Sequence, residues 1–496
     1  METDNDNPEL KLANEFVRHT CHNIFLTGKA GTGKTTFLHN LKKEFPKRMI
    51  VTAPTGVAAI NAGGVTLHSF FQMPFGPIMP GYELQGRQRR FNKEKINIIK
   101  SLDLLVIDEI SMVRADLLDG IDAVLRRFKH HDLPFGGVQL LMIGDLHQLS
   151  PVVKDDEWNI LKNHYETFYF FSSHALAKTD MVSIELKHIY RQSDAKFIAL
   201  LNRVRNNEID QPTLDLLNSR YVPGFKPDEV GDYITLSTHN QSADQINQSQ
   251  LKQLESKTFT LQAIIKGQYP EHSYPTAEKL VLKKGAQVMF VRNDSSPEKQ
   301  YFNGKIGTVT HIGSETISVK CPDDNDIIQV EPICWENIKY TIEEKTKEIS
   351  EDVIGEFIQY PLRLAWAITI HKSQGLTFER AIIDANAAFS HSQVYVALSR
   401  CKTFEGMVLS TRISTAAIKT DTTVAKFVDD ASQHPPTSQQ LETATNDYQQ
   451  QLLLECFNFN QLRTSLNKLL GILQSNQKAV QISDRENLAE FRKQTT

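Results

Sequence analysis

The sequence predicts an α/β protein: a doubly wound parallel sheet around a phosphate-binding loop, followed by a segment of β patterning. Three observations carry this. A buried strand-like run, Asn23–Thr27, passes directly into Gly28-Lys29-Ala30-Gly31-Thr32-Gly33-Lys34-Thr35-Thr36 and then into a helix-like stretch that stops at Pro46. Two more apolar runs, Leu104–Ile107 and Val138–Ile143, deliver Asp108-Glu109 and Gly144-Asp145, and strands alternating with helices imply a parallel sheet. Residues 257–359 switch to period-two patterning with turn signals.

Composition bounds the rest. The chain has 496 residues, 40% hydrophobic and 23% charged, enough to build several cores. Lys and Arg total 55 against 59 Asp and Glu, a net charge of -4, which excludes a histone-like basic coat but not a local basic groove. The five cysteines include no Cys-x-x-Cys pair and read as reduced thiols. The acidic start Met1-Glu-Thr-Asp is unlike a targeting leader, and no apolar run approaches the roughly 18 residues that span a bilayer, so no membrane partner is expected.

The first motif is G-x-x-x-x-G-K-[ST], Gly28 to Thr35, in the strand–loop–helix setting it requires. Its glycines let backbone N–H groups converge on phosphate oxygens. Lys34 supplies charge to the β and γ phosphates, and the Thr35 hydroxyl is a Mg²⁺ ligand. Asp108, ending an apolar strand, reaches Mg²⁺ through water, and Glu109 beside it is placed to polarise an attacking water. Gln148, after the third strand, is placed to sense the γ-phosphate. ATP and Mg²⁺ are the expected ligands.

Further residues add a specific resemblance to these motifs. Val51–Phe70, with Pro54, Thr55, Gly56, His68, Ser69 and Phe70, resembles the single-strand-binding motif of superfamily-one helicases. Leu104–Asp122 resembles the signature of the Pif-one helicases, relatives of the RecD motor. Tyr190-Arg191-Gln192 resembles the fourth family motif, Leu364–Thr377 the fifth and Gln393–Arg400 the sixth. The resemblance spans roughly residues 5 to 425. It implies two RecA-like P-loop motor domains, with Arg191 and Arg400 as arginine fingers from the second lobe. Thr369, His371, Lys372 and Ser373 would contact strand phosphates and sugars, and Gln374 and Gly375 would face the nucleotide. Thr238, His239 and Asn240 form another strand-contacting loop. Lys11 stands where such motors carry an adenine-reading glutamine, which leaves base selectivity open.

The expected domains are 1–185 as the first lobe, 186–256 with 360–428 as the second, 257–359 as an inserted small β-barrel, and 429–496 as linker and helical hairpin. Asn303 and Gly304 in the barrel either pinch the strand or form a plain turn. An apolar interruption at about 59–95 is either a duplex-splitting wedge or a loop packed on the barrel, with Phe70, Phe71 and Phe75 as candidate base-stacking aromatics. Arg87, Arg89, Arg90, Lys93 and Lys95 either hold phosphates or form a solvated face. In the tail, Leu462, Leu466, Leu469, Leu470 and Leu473 share a helical face that docks on the motor, binds a partner or mediates self-association.

The resemblance therefore implies an ATP-dependent helicase that moves five-prime to three-prime on single-stranded DNA and unwinds forked or structured DNA. A bacterial cytoplasmic, nucleoid-associated setting is favoured over a nucleus. Two alternatives stay open: a translocase or RNA-directed motor with the same engine, and a nucleotide-switched DNA-binding protein with little unwinding.

Overall fold

The computed structural model describes residues 7–44, 47–74, 76–80, 91–190, 194–225, 233–294, 296, 298, 300–322, 324, 326–342, 349–370, 372–384, 393–414, 421–457 and 459–476. Arg191 and His371 lie outside the described residues, as do Phe75, Arg87, Arg89 and Arg90. The chain divides into two compact units, Met1–Asn14 with His22–Pro436, and Glu15–Cys21 with Thr437–Thr496.

The larger unit opens with a six-stranded sheet made of β1 (Asn23–Gly28), β2 (Met49–Ala53), β3 (Val65–Thr66), β4 (Leu104–Ile107), β5 (Gln139–Ile143) and β6 (Met181–Leu186), in the order β3-β2-β4-β5-β1-β6. Every pairing is parallel. β1, β4 and β5 are buried at every position, because helices cover both faces. That explains why they read as continuous apolar runs. Parallel strands ending together bring the loops after β1, β2, β4 and β5 to one edge of the sheet.

β7 (Ile234–Ser237) begins a second sheet, but the chain leaves it for a long antiparallel excursion: β8 (Thr258–Gln262), β9 (Ile264–Gly267), β10 (Lys279–Lys283), β11 (Gln287–Phe290), β12 (Ile306–Ile312), β13 (Ile317–Lys320), β14 (Ile327–Val330), β15 (Ile333–Ile342), β16 (Ile349–Gln359) and β17 (Leu362–Leu364). These form a five-stranded sheet β14-β13-β12-β11-β17, a pair β10-β8, and a three-stranded sheet β15-β16-β9. The chain then returns through β18 (Ala367–Thr369), β19 (Ala381–Ile383) and β20 (Met407–Leu409), which complete a parallel sheet ordered β18-β7-β19-β20.

The period-two run at β11 has a physical origin visible here. All four residues are buried rather than alternately exposed. Val288 and Phe290 pack into the core of the antiparallel excursion, while Met289 packs into the core of the second parallel sheet. One strand is shared by two cores. Pleating sends alternate side chains to opposite faces, so a period of two is kept although neither face is wet.

In the smaller unit the tail forms helices Ser438–Cys456 and Asn460–Ser475. Thr437 caps the first, its hydroxyl accepting from Gln440 N while Gln440 Oε1 accepts from Thr437 N. The leucine stripe is split in the structure: Leu466 and Leu473 are buried, whereas Leu462 and Leu469 are exposed, as are Leu452, Leu453 and Leu454. Among the described residues no helix is long and apolar enough to cross a membrane.

Candidate nucleotide cavity and strand-facing loops

The phosphate loop leaves β1 through Gly28, Gly31 and Gly33, with φ of 151°, 81° and 88°. A Cβ at Gly28 would lie 2.8 Å from Thr32 Oγ1 and 2.9 Å from the Leu186 carbonyl oxygen, so the turn tolerates only glycine there. Lys34 folds its ammonium back to donate to the carbonyl oxygens of Gly28 at 2.5 Å and Lys29 at 3.0 Å. Thr32 Oγ1 donates to the Lys29 carbonyl at 2.9 Å. Burial lowers the Lys34 pKa, and the carboxylates of Asp145, Glu109 and Asp108 oppose that shift.

These residues open on a cavity of about 780 Å³ lined by the loop from Ala30 to Thr36, with Glu109, Gln148, His188, Tyr190, Gly375, Arg400 and the segment Asn7–Leu10. A triphosphate with its nucleoside fits a space of this size. Glu109 follows β4 and takes φ 54°, a left-handed backbone uncommon for a residue with a side chain. Burial, with Asp108 next to it, raises the Glu109 pKa to about 8, and burial raises Asp108 to about 6. Gln374, from the loop after β18, donates its side-chain N–H to Glu109 Oε2 at 2.7 Å. Arg400 is 1% exposed; its Nε donates to the Val396 carbonyl at 3.0 Å and its Nη2 to Ser399 Oγ at 2.9 Å. Burial lowers its pKa, and the phenol of Tyr395 and the carboxyl of Glu109 oppose the loss of charge.

Asp145, two residues after β5, is the acceptor at the centre of a second network. Its Oδ2 takes the Gln148 side-chain N–H at 3.1 Å, and its Oδ1 takes His147 N at 3.1 Å and Arg205 Nη2 at 3.2 Å. Burial disfavours the Asp145 charge, but Arg205 and Lys34 more than compensate and hold its pKa near 2. Sequence reasoning assigned no role to Asp145 or Arg205, and none to Asn7, whose side-chain oxygen caps the helix Pro8–His19 by accepting from Glu9 N and Leu10 N. Asn7 Nδ2 reaches Tyr190 Oη at 3.4 Å, while Lys11 is exposed and does not line the cavity.

The chemistry present fits a hard divalent cation. Thr35 and Asp108 offer oxygen donors, and among the described residues no group of three or more His, Cys, Asp or Glu forms a metal cage. A cation here would take its remaining ligands from phosphate and water, the coordination Mg²⁺ prefers.

The strand-facing candidates divide into two sets. Pro54, Thr55 and Gly56 follow β2, and Thr55 Oγ1 accepts from Ala58 N at 3.2 Å to cap the helix Gly56–Ala62. Gly56, Ser69 and Phe70 line a separate cavity of about 460 Å³ with Tyr269 and Asn337 of the excursion. His68 is half-buried, and burial then Arg114 lower its pKa. Thr238, His239 and Asn240 follow β7, Thr238 Oγ1 lying 2.8 Å from His239 Nδ1, and Lys372 is exposed beyond the neighbouring strand β18.

Several expectations change. Phe70 and Phe71 are 3% and 1% exposed, packed edge-to-face in the first core, so they present no open ring for stacking. Thr369 and Ser373 are buried and serve their own turn: Lys372 N donates to Thr369 Oγ1, and Ser373 Oγ donates to the Ile370 carbonyl. Gly304 is buried with φ 99°, and a Cβ there would lie 3.3 Å from the Thr377 carbonyl oxygen, so it marks a close approach to the loop after β18. Asn303 N donates to Asn293 Oδ1 at 2.8 Å. The Pif-one signature is legible as scaffolding. Asp116 accepts from Ile78 N and Arg114, and Asp119 accepts from Tyr165 Oη, Ser173 Oγ, His174 N and Ala175 N.

Comparison with known proteins decides the family. The profile of the PIF1-like helicases matches residues 8–214. The ATP-dependent DNA helicase Pif1 of Bdellovibrio bacteriovorus is 31% identical over 410 residues, covering 81% of this chain and 87% of that protein. The chain belongs to the Pif1-like helicase family. Human ATP-dependent DNA helicase PIF1 is 33% identical, covering 77% of this chain and 57% of the human protein. The crystal structure of Bacteroides Pif1 in complex with ADP-AlF4 matches at 42% identity with a TM-score of 0.79, covering 86% of this chain and 97% of that one. The same Pif1 bound to single-stranded DNA matches at a TM-score of 0.62, covering 85% and 96%. Residues 440–496 match a profile described as the middle domain of a DNA helicase.

Proposed function

We propose that this Pif1-like helicase couples ATP hydrolysis to movement along single-stranded DNA through one cavity that both parallel sheets build. Membership of the family makes the chain an ATP-dependent DNA helicase. The observation that carries the residue roles is the meeting of Lys34, Glu109 and Gln148 with Gly375 and Arg400 around one space. Lys34 leaves the loop carbonyls to neutralise the β and γ phosphates. Glu109, held by Gln374, orients and deprotonates the attacking water. Arg400 offsets charge that develops on the transferred phosphoryl group, as trans-acting arginines do in other nucleotidases. Thr35 and Asp108 would hold Mg²⁺, which supplies neutralising charge between the phosphates. Arg191 and His371 keep the roles that the family motifs imply for them.

The loops after β2, β7 and β18, with Pro54–Gly56, Thr238–Asn240 and Lys372, grip the strand backbone, which needs phosphate contacts but no base readout. The lower TM-score to the strand-bound relative than to the ADP-AlF4 complex supports a lobe rearrangement when DNA enters. The family motifs imply five-prime to three-prime movement, and the bacterial relatives support a cytoplasmic, nucleoid-associated setting. The deciding experiment is unwinding of forked duplexes carrying only a five-prime or only a three-prime tail. Unwinding from the five-prime tail alone is expected; unwinding from the three-prime tail alone overturns the polarity. Lys34→Ala should abolish strand-stimulated turnover while single-stranded DNA still binds.

A further inference from the structure

The helix Ala195–Arg205 belongs to the second lobe, its Phe197, Leu200, Leu201 and Val204 packing with Ile234 and Leu236 of β7. Its last residue reaches out of that lobe. Arg205 is buried, yet its guanidinium meets Asp145, which follows the central strand β5 of the first lobe. Glu185 of β6 lies 3.9 Å away on the same guanidinium. The pair is enclosed: the two side chains are 5% and 0% exposed. An isolated charge could not be buried there without its counter-charge.

Asp145 has two oxygens, and they face different partners. Oδ1 accepts from Arg205, and Oδ2 accepts from the Gln148 side chain. A carboxylate only accepts, so the Gln148 amide must turn its nitrogen toward Asp145. That fixes the orientation of Gln148, a residue that lines the cavity together with Glu109 and Arg400. Arg205 does not line that cavity, and its hydrogen bond toward the cavity wall runs to Asp145, the residue that holds Gln148.

We infer that Arg205 is a positioning residue that reports second-lobe closure to Gln148 through Asp145. When the second lobe shifts, Arg205 moves with its helix, and Asp145 either keeps or loses the charge that fixes the Gln148 amide. Strand binding and γ-phosphate sensing are thereby linked without Arg205 touching either ligand. The inference rests on the proposed role of this cavity in ATP hydrolysis.

The test uses the full chain with Arg205→Gln, Arg205→Lys, Asp145→Asn and Gln148→Ala, measuring ATP turnover with and without an oligo(dT) strand. In Arg205→Gln the strand-stimulated kcat should fall about tenfold or more while KM for ATP moves less than about threefold. Arg205→Lys keeps the charge but loses the planar fork, and should recover only part of the rate. In the Gln148→Ala background, Arg205→Gln should cost less than about twofold further, because residues acting through one group are non-additive. Independent, multiplying losses would overturn the inference, as would full strand stimulation in Arg205→Gln accompanied only by a lower melting temperature. If Arg205→Gln does not fold, the same cycle run with Asp145→Asn and Arg205→Lys decides it. A wild-type chain without strand-stimulated turnover would instead defeat the underlying reading of the cavity.

Discussion

Gln374 of the second lobe donates its side-chain N–H to the Glu109 carboxylate of the first lobe at 2.7 Å. The bond joins residues 265 positions apart and crosses from one parallel sheet to the other. Glu109 is otherwise pressed toward its protonated form by burial and by Asp108. In the proposed mechanism Glu109 takes a proton from water and must be ionised to do so, and the bond from Gln374 would tie that state to the position of the second lobe.

Glu109→Gln is therefore expected to lower strand-stimulated ATP turnover by about 10²–10⁴-fold, the usual worth of a positioned base, with ATP and single-stranded DNA still bound. In the wild type, kcat/KM should rise with pH toward a plateau above about 8, the value to which burial pushes Glu109. Gln374→Ala removes a donor that favours the carboxylate, so the rising limb should move to higher pH. A limb that stays in place in Gln374→Ala would detach the bond from catalysis.

The same groups set a pH dependence of stability. Asp108 and Glu109 have raised values in the folded protein, about 6 and about 8. Between the unfolded carboxylate range near 4 and those values, the folded chain holds protons that the unfolded chain has released. That stabilisation is complete below about 4 and is lost as pH rises through 6 and then 8. Asp145 works oppositely: held near 2 by Arg205 and Lys34, it stabilises the fold above about 4 and loses that effect on acidification toward 2. Melting curves of the nucleotide-free protein should show the melting temperature falling from pH 6 to 9, with a shallower fall in Glu109→Gln.

The parts legible in the sequence are those whose meaning is contiguous. Gly28–Thr36 needs only its own backbone to cradle phosphate, and an apolar strand running into Asp108-Glu109 places its carboxylates by local geometry. Arg205 carries no such mark: in Ala195–Arg205 it reads as the cationic end of an ordinary amphipathic helix, and its partner Asp145 is 60 residues away. Phe70 and Phe71 misled in the other direction, because aromatics in a strand-binding motif invite stacking while burial is decided by the distant core they join. β11 was patterned correctly for a reason the sequence hides, one strand serving two cores.

Asp119, inside the family signature, gathers donors from Tyr165, Ser173, His174 and Ala175. Asp119→Ala leaves two backbone N–H groups and two hydroxyls without that acceptor, and should cost on the order of 3 kcal/mol of folding free energy in urea denaturation. Asp119→Asn, which keeps one acceptor oxygen, should cost less. Equal stability of the alanine variant would show that the signature aspartate is not holding the 165–175 segment.

Glycines give the last contrast, because one substitution has opposite signs at two sites. Gly64 passes so close to β2 that a Cβ would lie 2.3 Å from the Val51 carbonyl oxygen and 2.7 Å from its carbonyl carbon. Neither atom can move without breaking the pairing that places Pro54 and Thr55 at the end of β2, so Gly64→Ala should cost about 1–3 kcal/mol or more. It should also weaken single-stranded DNA binding if that loop grips the strand. Gly471 lies inside the helix Asn460–Ser475 with nothing within 4 Å of its added Cβ. There alanine removes backbone freedom from the unfolded chain and meets no obstacle, and Gly471→Ala should stabilise the helix by about 0.5–1 kcal/mol. Circular dichroism melts of the two variants beside the wild type check both signs, and a Gly64→Ala melt no lower than wild type would mean the β2–β3 approach is looser than 2.3 Å implies.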